Sequence, residues 1–183
     1  MVTQDEFIKQ IGATIGKLKV LELTAILKKQ DFALRDLVDL TFHPDKDIAF
    51  RAAWILENLF LQKPESYGQD LAYLISRVSE VKHASCQRHY AKILMHITNK
   101  KAPKTISNQL SEIDLEPVVE KCFDWMIDPK VKIAVKVFSS EVLFNLKDRY
   151  PWVKEELINL LQFLMRNGSP GMQSRGGKLL GLF

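Results

Sequence analysis

Cysteine is scarce in this sequence of 183 residues. Only Cys86 and Cys122 are present, and each lies in a different segment of helically spaced apolar residues, where free thiols are usually buried. Two thiols make no disulfide framework, so the small disulfide-stabilised domains typical of secreted proteins are excluded. This cysteine usage agrees with a reducing compartment, and we expect a cytoplasmic protein.

Long apolar runs are absent as well. No segment approaches the roughly 20 consecutive apolar residues that a bilayer-spanning helix needs. The first six residues also lack the charged and then apolar pattern of a secretory signal peptide. The sequence therefore predicts a protein that neither crosses nor is anchored in a membrane.

Neither sign of charge is in large excess. The chain has 26 basic and 22 acidic residues, a net charge of +4, which supports solubility and by itself only weak affinity for polyanions. The excess lies in the last third, because nine basic and four acidic residues follow Asp128. The hydrophobic fraction of 46% is ordinary for a globular protein, so a disordered or fibrous chain is not indicated.

The spacing of apolar residues is helical nearly throughout. Residues 71–78, 90–97 and 153–164 carry apolar side chains three or four positions apart, which is the signature of an amphipathic helix. Proline and aspartate at the breaks favour helix starts. The pattern predicts an all-α protein with helices at about 4–13, 17–29, 32–42, 46–62, 67–79, 84–99, 115–127, 131–147, 152–166 and 171–182.

Two parts of the chain depart from this regularity. Gly12 and Gly16 interrupt the first two predicted helices, within residues 1–30. Residues 99–114 form the one long polar interval, for which we predict a loop with at most a short turn of helix.

A repeat appears when the second helix of each predicted pair is compared. Residues 48–60 resemble 172–183, and residues 86–97 and 133–146 show the same succession of a turn, small residues and then large aliphatics. The spacing is about 40 residues, the period of helix-pair repeats, and small residues let the helix axes approach closely. We expect a single domain over 1–183, with the polar interval 99–114 inside it.

The chain resembles the HEAT-like and armadillo-like superfamily, most clearly in His43–Ala53 and Asp128–Ala134, where a turn with Pro and Asp precedes an Ala-rich helix. The resemblance covers most of residues 31–183. It implies an α-α superhelix of about four to five stacked antiparallel helix pairs, with a concave inner face. A binding role, rather than any one ligand, is also implied.

Candidate metal ligands cluster only between His83 and His96. On an ideal helix His89 and His96 lie within roughly 20° of each other, but His83 lies roughly 140° from His96, so the set with Cys86 does not converge. No nucleophile, base and orienting group stand in a known spacing, and Gly168–Gly171 is a turn between helices rather than a phosphate cradle. We predict no catalytic residues, no cofactor and no metal, and thus a protein that is not an enzyme.

A candidate interaction face follows from the repeat, because basic and aromatic residues recur at or near equivalent places on successive second helices. Two functions remain open: a scaffold that presents its concave surface to a protein partner, and a nucleic-acid-binding protein, related to DNA repair, that uses a basic inner stripe. Simple solvation of one face is the third interpretation. The candidate residues are Arg51, Trp54, His89, Lys92, Lys136, Arg175 and Lys178.

The chain ends on apolar residues, although solenoids normally close with a polar outer face. We therefore expect Leu179, Leu182 and Phe183 to be buried, either against the helix around 157–164 or against a second copy in a weak homodimer.

Overall fold

The computed structural model describes residues 4–13, 16–27 and 33–183. This part of the chain contains α-helices and two 3₁₀ segments, Pro64–Asp70 and Val78–Glu80, and no strand. The helices are α1 (Gln4–Gly12), α2 (Gly16–Leu27), α3 (Leu34–Leu40), α4 (Lys46–Gln62), α5 (Leu71–Ser76), α6 (Ala84–Ile97), α7 (Lys104–Ser111), α8 (Glu116–Ile127), α9 (Ile133–Leu146), α10 (Trp152–Met165) and α11 (Pro170–Leu180).

The all-α prediction is confirmed, and most predicted helices agree with the structure within two residues. The ends of the second and the start of the third predicted helix, at 28–29 and 32, lie outside the described residues. The starts of α4 and α11 were predicted within one residue because each helix has a side-chain cap at its N-terminus. The Asp45 carboxylate accepts hydrogen bonds from the backbone N–H groups of Asp47 and Ile48, and the Ser169 hydroxyl accepts one from Met172, which satisfies donors at the first turn.

Two segments differ from the prediction. The helix predicted at 67–79 is split into the first 3₁₀ segment, α5 and the second 3₁₀ segment. Tyr67 has non-helical backbone angles (φ −117°, ψ 16°) within the first of these segments. The polar interval holds a loop at 99–103, as predicted, followed by an eight-residue helix, α7, which is longer than the single short turn of helix that we predicted. Its apolar face consists of Ile106 and Leu110, four residues apart and both buried.

The helices form two layers of a helical repeat superhelix. In the inner layer α4 packs on α6, α6 on α9 and α9 on α11, so consecutive second helices are in direct contact. The outer layer consists of α3, the segment around α5, α8 and α10, while α1 and α2 pack on α4. The small residues Ala49, Ala52 and Ala53 on α4 are buried and allow this close approach, as expected from the repeat.

The last helix is only partly covered as predicted. Leu179 is buried, and α11 packs on both α9 and α10. Phe183 is half-buried and meets Phe144 of α9 edge-on, with ring centroids 5.1 Å apart. Leu182 is 58% exposed, so the prediction of its burial within the chain was wrong. It follows Gly181, where the last helical turn ends, and therefore leaves the packed face.

The contrast between these leucines gives a matched test of the final repeat. Leu179→Ala should lower the free energy of unfolding by about 2–5 kcal/mol, because it leaves a cavity among α9, α10 and α11. Leu182→Ala should change it by less than about 0.5 kcal/mol. Urea unfolding followed by circular dichroism measures both. Equal effects of the two substitutions would contradict the packing of α11 described above.

Candidate interaction surface

The solvent-facing side of α4, α6, α9 and α11 is here called the inner face. All seven candidate residues lie on these four helices, which is the placement that the repeat predicted. Their side chains differ widely in exposure. Lys178 is exposed; Arg51, Trp54, Lys92 and Arg175 are partly exposed; His89 and Lys136 are buried.

Arg51 is engaged by the end of the first helix. Its guanidinium donates to the backbone carbonyl oxygens of Ile11, at 3.1 Å, and of Gly12, and it lies 3.8 Å from the carboxylate of Asp47 one turn earlier on α4. The last carbonyls of a helix have no partner within it, and they carry the negative end of the helix dipole. Arg51 therefore caps α1 and ties it to α4, which uses much of its hydrogen-bonding capacity.

His89 and Lys92 of α6 share one carboxylate, that of Glu57 on α4. His89 Nδ1 lies 2.6 Å from Glu57 Oε2, and Lys92 Nζ lies 2.6 Å from Glu57 Oε1. Since a carboxylate only accepts, His89 donates from Nδ1. Its other ring nitrogen, Nε2, is buried and has no hydrogen-bond partner among the described residues. His89 thus lies beneath the inner face rather than on it, and our prediction that it faces a ligand was wrong.

Charge partners determine the ionisation of Glu57. Burial raises its pKa, but the hydrogen bonds from His89 and Lys92, together with their charges, outweigh burial and hold the pKa below its ordinary value of 4.5. Glu57 is therefore a carboxylate at neutral pH. The cluster Glu57–His89–Lys92 joins two consecutive inner helices through buried, charge-assisted hydrogen bonds.

Two aromatic side chains of α4 cover the imidazole. Trp54 stacks on His89 with ring centroids 6.4 Å apart and planes inclined by 23°, and Phe50 lies 5.4 Å from the same ring. Phe50 and Trp54 are themselves 5.6 Å apart. Phe50 and Trp54 are only partly buried, so the two rings that cover His89 are also in contact with solvent.

Lys136 is buried on the side of α9 that faces the outer helix α8, away from the inner face. Its ammonium donates to the backbone carbonyl oxygen of Met126, at 2.9 Å, near the end of α8. Burial lowers its pKa, and the nearby charge of Asp128 opposes this shift. With only 6% of its surface exposed, Lys136 caps an outer helix and does not belong to an inner basic stripe, which corrects our prediction.

Near the last repeat, the Arg175 guanidinium of α11 pairs with the Glu141 carboxylate of α9. Lys178 is exposed and forms no ion pair with any residue that the structure describes. Arg51, Lys92 and Arg175 therefore all have a carboxylate within salt-bridge distance. The charges of these three cations are therefore largely neutralised, and the contacts of Lys92 and Arg175 connect successive inner helices.

The acidic partners Glu57 and Glu141 were not among the predicted residues. Glu57 carries a local signal, because it follows Ala53 by four residues and precedes Phe60 by three, and both of those residues are buried. A carboxylate on an apolar stripe indicates a buried pair. Its partners are 32 and 35 residues away in sequence, so they had no comparable signal.

The cysteines and histidines do not converge on one point in the fold. Cys86 Sγ lies 3.6 Å from His83 Nδ1, His89 is held by Glu57, and His96 is exposed. Among the described residues no three His, Cys, Asp or Glu side chains are placed to hold a metal ion. Burial raises the pKa of both thiols, Cys86 and Cys122, to about 12, so both are protonated at neutral pH and are poor nucleophiles.

None of the described helices has the length and apolar character that crossing a bilayer requires.

Comparison with known proteins gives one family. The model of the family described as HEAT repeat domain matches residues 7–180. Comparison with curated proteins and with solved structures gives no match. The match includes all four helices of the inner face.

Proposed function

Because the chain belongs to the HEAT repeat domain family, we propose that it is a non-enzymatic scaffold whose inner face binds a protein partner. Stacked helix pairs expose a continuous surface along one layer, and proteins of this architecture commonly use that surface for protein interactions. Because α4, α6, α9 and α11 are in contact one after another, the inner face is continuous along this layer.

The observation that supports a protein partner is the chemistry of the inner face. Phe50 and Trp54 form a half-buried aromatic pair on α4, and Val137 and Phe144 are partly exposed on α9. Aromatic residues are enriched at the core of protein interfaces, and tryptophan is among the residues that contribute most to their binding energy. An aromatic and apolar centre with charged residues around it is the usual arrangement of such an interface.

The same charges argue against the nucleic-acid interpretation. Binding to a phosphate backbone needs several cations that can replace condensed counterions. Arg51, Lys92 and Arg175 are already paired, and Lys136 is buried. Lys46, Arg88 and Lys178 are exposed on the inner helices, and three separate cations favour only weak contact with a duplex.

A salt titration distinguishes the two interpretations. Anisotropy of a fluorescein-labelled random-sequence DNA duplex should show at most weak binding. A plot of the logarithm of the association constant against the logarithm of the salt concentration should have a slope of about −3 or shallower. Six or more phosphate contacts, seen as a slope near −5 or steeper, would replace the protein-partner proposal with a nucleic-acid interface. Any binding that is found should be measured again with Arg88→Gln and Lys178→Gln, separately and together. A loss of affinity in a variant shows that the substituted cation contacts the DNA.

Site-specific crosslinking tests the protein partner directly. A benzoylphenylalanine at position 137, on the inner face, should give a discrete protein adduct in cells, and Trp54→Ala should abolish it. The matched control has the same group at position 163, where Phe163 is exposed on the outer helix α10. Adducts of equal yield from both positions, or adducts removed by nuclease, would contradict the proposal.

A further inference from the structure

A second surface lies on the outer layer, between α8 and α10. It is a cleft of about 550 Å³, lined by Glu120, Phe123, Asp124, Trp152 and Glu156. Every lining side chain is aromatic or acidic. Phe123 and Trp152 stack across the two helices, with ring centroids 5.5 Å apart and planes inclined by 26°.

Trp152 is not needed for the packing of its own helix. Val153, Leu157 and Leu161 are fully buried and form the inward stripe of α10, whereas Trp152 is 44% exposed at the first helical position after Pro151. Exposure of this apolar ring surface to water is unfavourable. A ligand that stacks on the exposed ring would remove that surface from water.

The charge of the cleft is opposite to that of the whole chain. Glu120, Asp124 and Glu156 are exposed and form no ion pair with the described residues, while the protein carries a net charge of +4. Glu120 and Asp124 are also one helical turn apart on α8, and like charges at this spacing destabilise a helix. The carboxylates therefore oppose local stability rather than support it.

From this chemistry we propose that the cleft is a docking site for a basic segment of a protein partner, with an arginine side chain inserted against Trp152. A guanidinium stacks on an aromatic face and pairs with carboxylates in the same plane, which an ammonium does less well. The three carboxylates repel phosphates and acidic peptides. This site is on the opposite layer from the inner face and does not depend on the function proposed for that face.

The experiment uses the full chain and a fluorescein-labelled peptide of alternating arginine and glycine. Saturable binding is measured by anisotropy and compared with lysine–glycine and glutamate–glycine peptides. The arginine peptide should bind best and the glutamate peptide should not bind. Trp152→Ala, and Glu120→Gln combined with Asp124→Asn, should each weaken the arginine peptide about tenfold or more, while Trp152→Phe should retain part of the affinity.

Matched controls come from the same helix. Phe163→Ala removes an exposed aromatic ring and Glu155→Gln removes an exposed carboxylate, both from α10 and outside the cleft, and each should change the dissociation constant less than about twofold. Thermal unfolding checks each variant; if Trp152→Ala does not fold, the double carboxylate variant decides. The proposal is overturned if the arginine peptide does not bind, if cleft and control variants bind equally, or if sedimentation shows that Trp152 instead mediates a dimer.

Discussion

Leu56→Ala is expected to lower the free energy of unfolding by about 2–5 kcal/mol. Leu56 lies in the middle of α4, is fully buried, and belongs to the helix that contacts α1, α2, α3 and α6. A side chain that is fully buried in a close-packed core leaves a cavity that the surroundings fill only in part when it is truncated. Leu94→Ala should act in the same range, since Leu94 is also buried and its helix, α6, packs on both α4 and α9.

The measurement is urea unfolding at equilibrium, followed by circular dichroism. Ile127→Ala is the control, because Ile127 is 61% exposed at the end of α8 and its truncation removes little packing. A loss below about 0.5 kcal/mol at both Leu56 and Leu94 would mean that the buried faces of α4 and α6 are assigned incorrectly. A loss at Leu56 alone would restrict the error to α6.

The sequence predicted the inner helices well because their signals are local. Helix α4 begins after the Asp45 cap and extends over more than four turns of apolar spacing, and its predicted and observed bounds are identical, 46–62. Helix α7 was missed because it is short and buries only Ile106 and Leu110, which is too few residues to establish a period. The first 3₁₀ segment has a backbone kink at Tyr67, for which the apolar pattern gives no indication.

Two of the candidate residues, His89 and Lys136, are buried, although the repeat predicted them on an exposed face. Repeat phase gives the helix and the approximate face of a residue, whereas burial depends on its partners in space. Lys136 is held by a carbonyl of α8 and His89 by a carboxylate of α4, and neither contact follows from the spacing along the residue's own helix. Most of the basic residues predicted to form an exposed stripe instead connect one helix to another through these partners.

The strongest of these connections should be the one at Glu57. Glu57→Ala is expected to cost about 3–5 kcal/mol, because it leaves His89 buried without its partner and removes the carboxylate that Lys92 binds. Glu57→Gln should cost less, since the amide keeps the size and one acceptor oxygen. Glu155→Gln, at an exposed carboxylate of α10, is the control and should be nearly neutral.

The pH dependence identifies charge as the cause. The pKa of Glu57 is lowered in the folded protein, so its stabilising contribution is fully present above the ordinary value of 4.5 and is lost as the pH falls through the lower, folded value. Below that value Glu57 is neutral, as glutamine is at every pH. The difference in unfolding free energy between the wild type and Glu57→Gln should therefore shrink as the pH falls below about 4.5. A difference that stays unchanged through this acid range would assign the effect to packing and remove the ionic connection between α4 and α6.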